Sequence, residues 1–137
     1  MLTAGGRDNP WPVNLVVWLG AALVLASAAV HLHLWSTGYR HIATIGPLFL
    51  LQGIAGIVLA FVLAVTRRVW SIVAAAGFLA GTVAGFLLSV NVGLFGFQDT
   101  WVAPTAKSAF AIEVAGFAVL AVGAVLCLTR RRESPRG

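Results

Sequence analysis

The sequence predicts an all-α fold: an integral membrane four-helix bundle with both termini in the cytoplasm. Three observations carry that expectation. Hydrophobic residues fill 60% of the 137 positions and charged residues only 9%, against roughly 25% charged in soluble globular domains. The apolar residues gather into four runs, at about 15–35, 42–65, 69–92 and 108–128. Each has about 20 residues or more, enough for a helix to cross a ~30 Å hydrocarbon core, whereas an open sheet would leave backbone groups unpaired in lipid. The third observation is the placement of the basic residues. Arg7, Arg67, Arg68, Arg130, Arg131, Arg132 and Arg136 fall on one side of the expected bilayer, Arg40 and Lys107 on the other. Cytoplasmic loops carry the excess of Lys and Arg, so loops one and three are expected outside.

The chain is read as one domain, with 1–14 and 129–137 as its cytoplasmic ends. Its formal charge of +5 sits at span ends, which argues against nucleic acid and for the lipid bilayer as partner. The Arg130-Arg131-Arg132 run is expected to stop the last span and meet anionic headgroups.

The first span ends at Trp35, with Trp11 ahead of it. Trp11, Trp35, Trp70 and Trp101 all fall near expected span ends, as an aromatic belt requires. Trp18 departs from that pattern and is expected to pack or face lipid. Ala26-Ser27-Ala28 resembles a cleavage site, but the apolar run continues past it, so the span is expected to be retained.

The second span opens with Gly46-Pro47, where proline is expected to begin or kink the helix. Gly53, Gly56 and Ala60 follow on it. In the third span Gly77, Gly81, Gly85 and Ser89 recur every four residues, a stripe of near-bare backbone expected to serve helix packing within the chain. Homodimerisation through that stripe is the lesser alternative. The loop before the fourth span carries Phe95, Phe97, Trp101 and Val102 and is expected to fold back on the bundle, with Thr105 capping the helix that follows. The fourth span offers Ala109, Gly116 and Gly123 for packing. The single cysteine, Cys127, excludes an intramolecular disulfide.

Glu113 stands out, because an acid at membrane depth is expensive unless paired, protonated or facing water. Small Ala109 and Gly116 share its face and point it toward another helix. His31, His33, His41, Arg40, Asn91, Gln98, Asp99 and Glu113 all map to the outer half or outer loops, with Gln52 near mid-membrane. The expected site is therefore an outward-facing pocket of Glu113, Gln52 and a histidine. His31 is the favoured histidine, with Arg40, His33, His41, Asp99 and Trp101 as further candidates. The competing expectation is that Glu113 and Gln52 only cross-link helices.

No metal or other cofactor is expected. His31 and His33 lie ~200° apart around a helix and cannot chelate one ion from it. Bis-histidine haem joining His31 or His33 to His41 is equally disfavoured. P-loop, dinucleotide and G-x-S-x-G motifs are absent, and Ser27–His31 is the sole nucleophile–base spacing, so the chain is read as no enzyme.

The segments His31-Leu32-His33-Leu34-Trp35, Gly38-Tyr39-Arg40-His41-Ile42 and Ile45 to Gln52, with Gly93 to Phe97 and Asp99 to Pro104, resemble uncharacterised small four-span actinobacterial membrane proteins. In size and span count the chain is also similar to DoxX-like proteins. Small multidrug transporters share the length and a membrane glutamate, but theirs lies in the first span, which has no acid here. The resemblance implies the fold and brings no mechanism. The first expectation for function is a non-catalytic accessory or structural subunit of a larger membrane complex, or a homo-oligomer. The alternative is an outward-facing binder or proton-linked carrier of a small amphiphile or quinone.

Overall fold

Local backbone chemistry sets where each helix begins and ends. The structure, a computed structural model, describes residues 11–133; Arg7 and Arg136 of the basic pattern lie outside the described residues. Within them the chain forms α1 (Trp11–Thr37), a short 3₁₀ turn (Tyr39–His41), α2 (Ile45–Thr66), α3 (Val69–Val92) and α4 (Ala106–Glu133). All four long helices are long and apolar enough to cross a membrane, and no strand occurs among the described residues. By length and composition this is a small polytopic membrane protein.

α1 and α4 extend a turn or more beyond their expected apolar runs, because backbone hydrogen bonding continues through polar residues at a bilayer surface. α2 instead starts late. Residues 39–41 form the 3₁₀ turn and Thr44 adopts a φ of 67°, so regular helix begins only at Ile45. Pro47 falls in the first turn, where its missing amide costs no helical bond. At Gly46 an added Cβ would lie 2.8 Å from the carbonyl oxygens of Tyr39 and Arg40; only glycine lets this turn close over the helix start. Thr105 takes the cap position of α4 by its backbone, its carbonyl accepting from the Ala109 amide at 2.8 Å.

α1 packs along both α2 and α4, and α4 along α3, while α2 and α3 meet far less closely. α2 and α3 are held near their short junction, where the Thr66 and Ser71 hydroxyls lie 2.9 Å apart. The dry core occupies the end of the bundle where α1 begins and α4 ends. Val17, Val24, Leu63, Ile72, Leu79 and Leu120 are fully buried there. Trp18 lies at the same end with the Arg67 guanidinium 5.3 Å over its ring, and Arg67 also donates to Asn14 Oδ1 at 3.3 Å.

Close approach relies on glycines that face a large partner. A Cβ at Gly20 would fall 2.4 Å from Leu120, at Gly53 2.4 Å from Leu32, at Gly116 2.5 Å from Leu79 and at Gly123 2.3 Å from Val16. The α3 stripe behaves otherwise. A Cβ at Gly77, Gly81 or Gly85 would meet nothing within 4 Å, so these residues are not a packing face within the chain. The reason is complementarity: α3 supplies the knob, Leu79 into the Gly116 notch, and packs through Ile72, Ala75 and Ala76 instead. Ser89 alone of that stripe is buried, and it accepts a bond from the Asp99 amide at 3.0 Å.

Candidate functional site

At the opposite end the helices diverge around a cavity of about 370 Å³. α1 contributes Ser27 and His31 one turn apart, and α4 brings Glu113 to them across the bundle. The Ser27 hydroxyl donates to Glu113 Oε1 at 3.0 Å. His31 Nδ1 lies 2.8 Å from the Ser27 carbonyl oxygen and 4.0 Å from the same Oε1. A carbonyl can only accept, so Nδ1 carries the proton of this bond and Nε2 is left as an acceptor in the neutral ring. Ser27 is fully buried, and Glu113 and His31 are 2% and 9% exposed. Both contacts to the acid fall on Oε1, and no hydrogen bond among the described residues engages Oε2.

Gln52 joins the same cavity from α2, where its side-chain amide donates to the Thr82 hydroxyl of α3. Thr82 in turn donates to the Phe78 carbonyl at 2.9 Å. This bond spans the two helices that otherwise diverge, and Gly81 and Gly85 flank it on α3 along the cavity wall.

The connections close the top. Tyr39 of the 3₁₀ turn stacks on Phe49 with centroids 4.7 Å apart and meets Phe97 edge-on at 5.6 Å. Burial, and then the nearby Asp99 carboxylate, push its pKa above the ordinary 10. The loop holding Asp99 folds back in part: Phe97 and Trp101 pack inward as expected, while Phe95 and Val102 are exposed. The Leu94 amide donates to the Phe97 carbonyl at 2.7 Å, and the Phe97 amide to the Leu94 carbonyl at 2.9 Å. Gly96 takes a φ of 78° in this tight turn. Trp101 stands behind the wall, edge-on to Phe86 at 4.8 Å and to Phe110 at 5.1 Å.

Of the residues expected at the site, the structure gathers Glu113, His31, Gln52 and Asp99 around one cavity. Trp101 supports its wall without lining it. His33, Arg40 and His41 are exposed and do not line it. His33 points away because it lies on the opposite face of α1 from His31, as the helical rotation dictates. Arg40 turns to its neighbour, Nε lying 3.0 Å from His41 Nε2. Ser27, Thr82 and Tyr39 are additions. Ser27 was visible in the sequence only as a residue four before His31; its bond to Glu113 joins positions 86 apart. Among the described residues no three His, Cys, Asp or Glu side chains gather as metal ligands.

No family model, curated protein or solved structure matches the chain. What the fold and site define is a class by architecture: a small four-helix membrane protein with a mostly apolar cavity, carrying a few polar side chains, in one half of its bundle.

Proposed function

We propose that the chain is a non-catalytic binder of a small amphiphile, held in the cavity with its polar head at Glu113. The observation that carries this reading is the buried Ser27–Glu113–His31 cluster on the wall of a 370 Å³ cavity. That volume falls within the ~300–1,000 Å³ of small-molecule sites, which are mostly apolar with a few placed polar groups. Aromatic and aliphatic side chains from Leu34, Phe49, Phe86 and Phe110 supply the apolar wall here. An acid used only to tie helices together needs no such space beside it. With both termini in the cytoplasm, as the basic residues argue, the cavity lies in the outer half of the membrane. Proton-linked carriage is the natural extension of a buried carboxyl beside an imidazole.

A second reading, an accessory subunit of a larger membrane complex, draws support from the open α3 stripe, since bare backbone admits a neighbouring helix. Purification from native membranes in mild detergent, followed by mass spectrometry of what is retained, tests both. A stoichiometric amphiphile kept by the wild type and lost from Glu113→Gln is expected. A stoichiometric protein partner, with no bound small molecule, would support the accessory subunit and remove the binder.

A further inference from the structure

We propose that the cavity is loaded sideways from the bilayer, through the cleft between α2 and α3, by a single-chain amphiphile whose amine or hydroxyl head donates hydrogen bonds. This deepens the binding-site reading above and rests on it.

The route follows from which wall residues are exposed. Of the described residues lining the cavity, only Leu48, Leu51 and Gly81 are exposed, and all belong to α2 or α3. The lining residues of α1, α4 and the connections are buried or half-buried, so the top is roofed and the side is open. α2 and α3 are also the sequence-adjacent helices that touch least. Gly85 lies about 4.5 Å along α3 beyond Thr82, above the Gln52–Thr82 bond that marks the lower edge of the opening. A Cβ at Gly81 or Gly85 would meet nothing within 4 Å, so at these two positions the α3 edge of the cleft is bare backbone. An alkyl chain can lie against that edge and continue into lipid while its head stays inside.

The head is assigned by the polar groups that meet it. Among the described residues, two carboxyl groups, Glu113 and Asp99, line the cavity, and neither lysine nor arginine does. His31 spends Nδ1 on the Ser27 carbonyl and leaves an acceptor at Nε2. A head that donates finds partners at each of these atoms. An anionic head meets two carboxyls with no fixed cation to offset them, and a carbonyl-only head finds few donors.

Native mass spectrometry of the full-length protein in non-ionic detergent tests this with four probes: dodecylamine, dodecanol, dodecanoate and decylubiquinone. One equivalent of the amine or alcohol is expected, bound at least about tenfold more tightly than the carboxylate, in line with a hydrogen bond to a charged group. Gly85→Leu should weaken it by about tenfold or more. Gly77→Leu, on the same stripe but away from the cavity, should leave it unchanged, and both sites have space for the side chain. Tightest binding by dodecanoate or decylubiquinone overturns the head assignment. Equal binding in the two glycine variants overturns the lateral route. Failure of all four probes, or binding indifferent to Glu113→Gln, overturns the binding-site reading itself.

Discussion

The same four helices build two unlike halves. At the end where α1 begins and α4 ends, α1, α3 and α4 interlock through large side chains set into glycine notches, and Leu63, Ile72, Leu79 and Leu120 have no exposed surface. At the loop end Gly81 and Gly85 of α3 face empty space, and a buried acid sits beside a cavity. Glycine content is therefore not a measure of packing in this bundle. What decides is whether a large residue from another helix stands opposite. Between helices in lipid the stabilising term is close van der Waals contact, so the notched half holds the bundle together and releases the other half to stay open.

Two alanine substitutions test most directly whether the residue standing opposite a glycine decides how it packs. Gly53→Ala places a methyl 2.4 Å from both Cγ and Cδ2 of Leu32. The whole leucine, not only its tip, must move, and overpacking of this kind costs on the order of 1–3 kcal/mol. Gly85→Ala enters open space in a helix interior, where alanine is favoured over glycine by up to about 1 kcal/mol. Thermal unfolding in detergent should therefore fall for Gly53→Ala and hold or rise for Gly85→Ala. Equal destabilisation by both would mean that α3 packs through its glycines after all.

Ser27→Ala comes next in size. It removes the hydroxyl that donates to Glu113 Oε1 and leaves His31 as the nearest polar group to that oxygen. Interhelical hydrogen bonds in membranes are worth about 0.6–2 kcal/mol, so the expected loss is about 1 kcal/mol in the same unfolding measurement. A double-mutant cycle with Glu113→Gln should show coupling between the two positions. Additive losses would break the claim that they act as one cluster.

How far these features were legible in the sequence depended on whether they are local. Span number follows from apolar run length alone, because every backbone group in lipid must be satisfied within its own segment. Glu113 was legible as a single costly residue, and His31 as the imidazole on the inward face of α1. Ser27 and Thr82 were not, since a hydroxyl in a helix satisfies itself on the carbonyl a turn earlier, as Thr82 also does here, and shows no partner in sequence. The glycine stripe misled because periodicity gives which residues share a face but not what stands across from it. Arg40 and His41 misled for a related reason: proximity along the chain let them pair with each other.

The smallest expected effect lies at the roof, where the loop end meets water. The chain has a single tyrosine, so the absorbance of phenolate at about 295 nm reports Tyr39 alone. Burial, and then Asp99, raise its pKa above 10. A raised pKa means that the folded state binds this proton more tightly than the unfolded state does. The contact is therefore at full strength below pH 10 and is lost only as pH climbs from there through the raised value. Spectrophotometric titration should place the midpoint above 10. Asp99→Asn should move it down by removing the nearby negative charge, without bringing it fully to 10, because burial is the larger cause and persists. Return to the free-tyrosine midpoint in that variant would mean that Asp99 also holds the 3₁₀ turn down over the cavity. In that case the roof, and not only the α2–α3 cleft, opens when the Tyr39–Asp99 contact is lost.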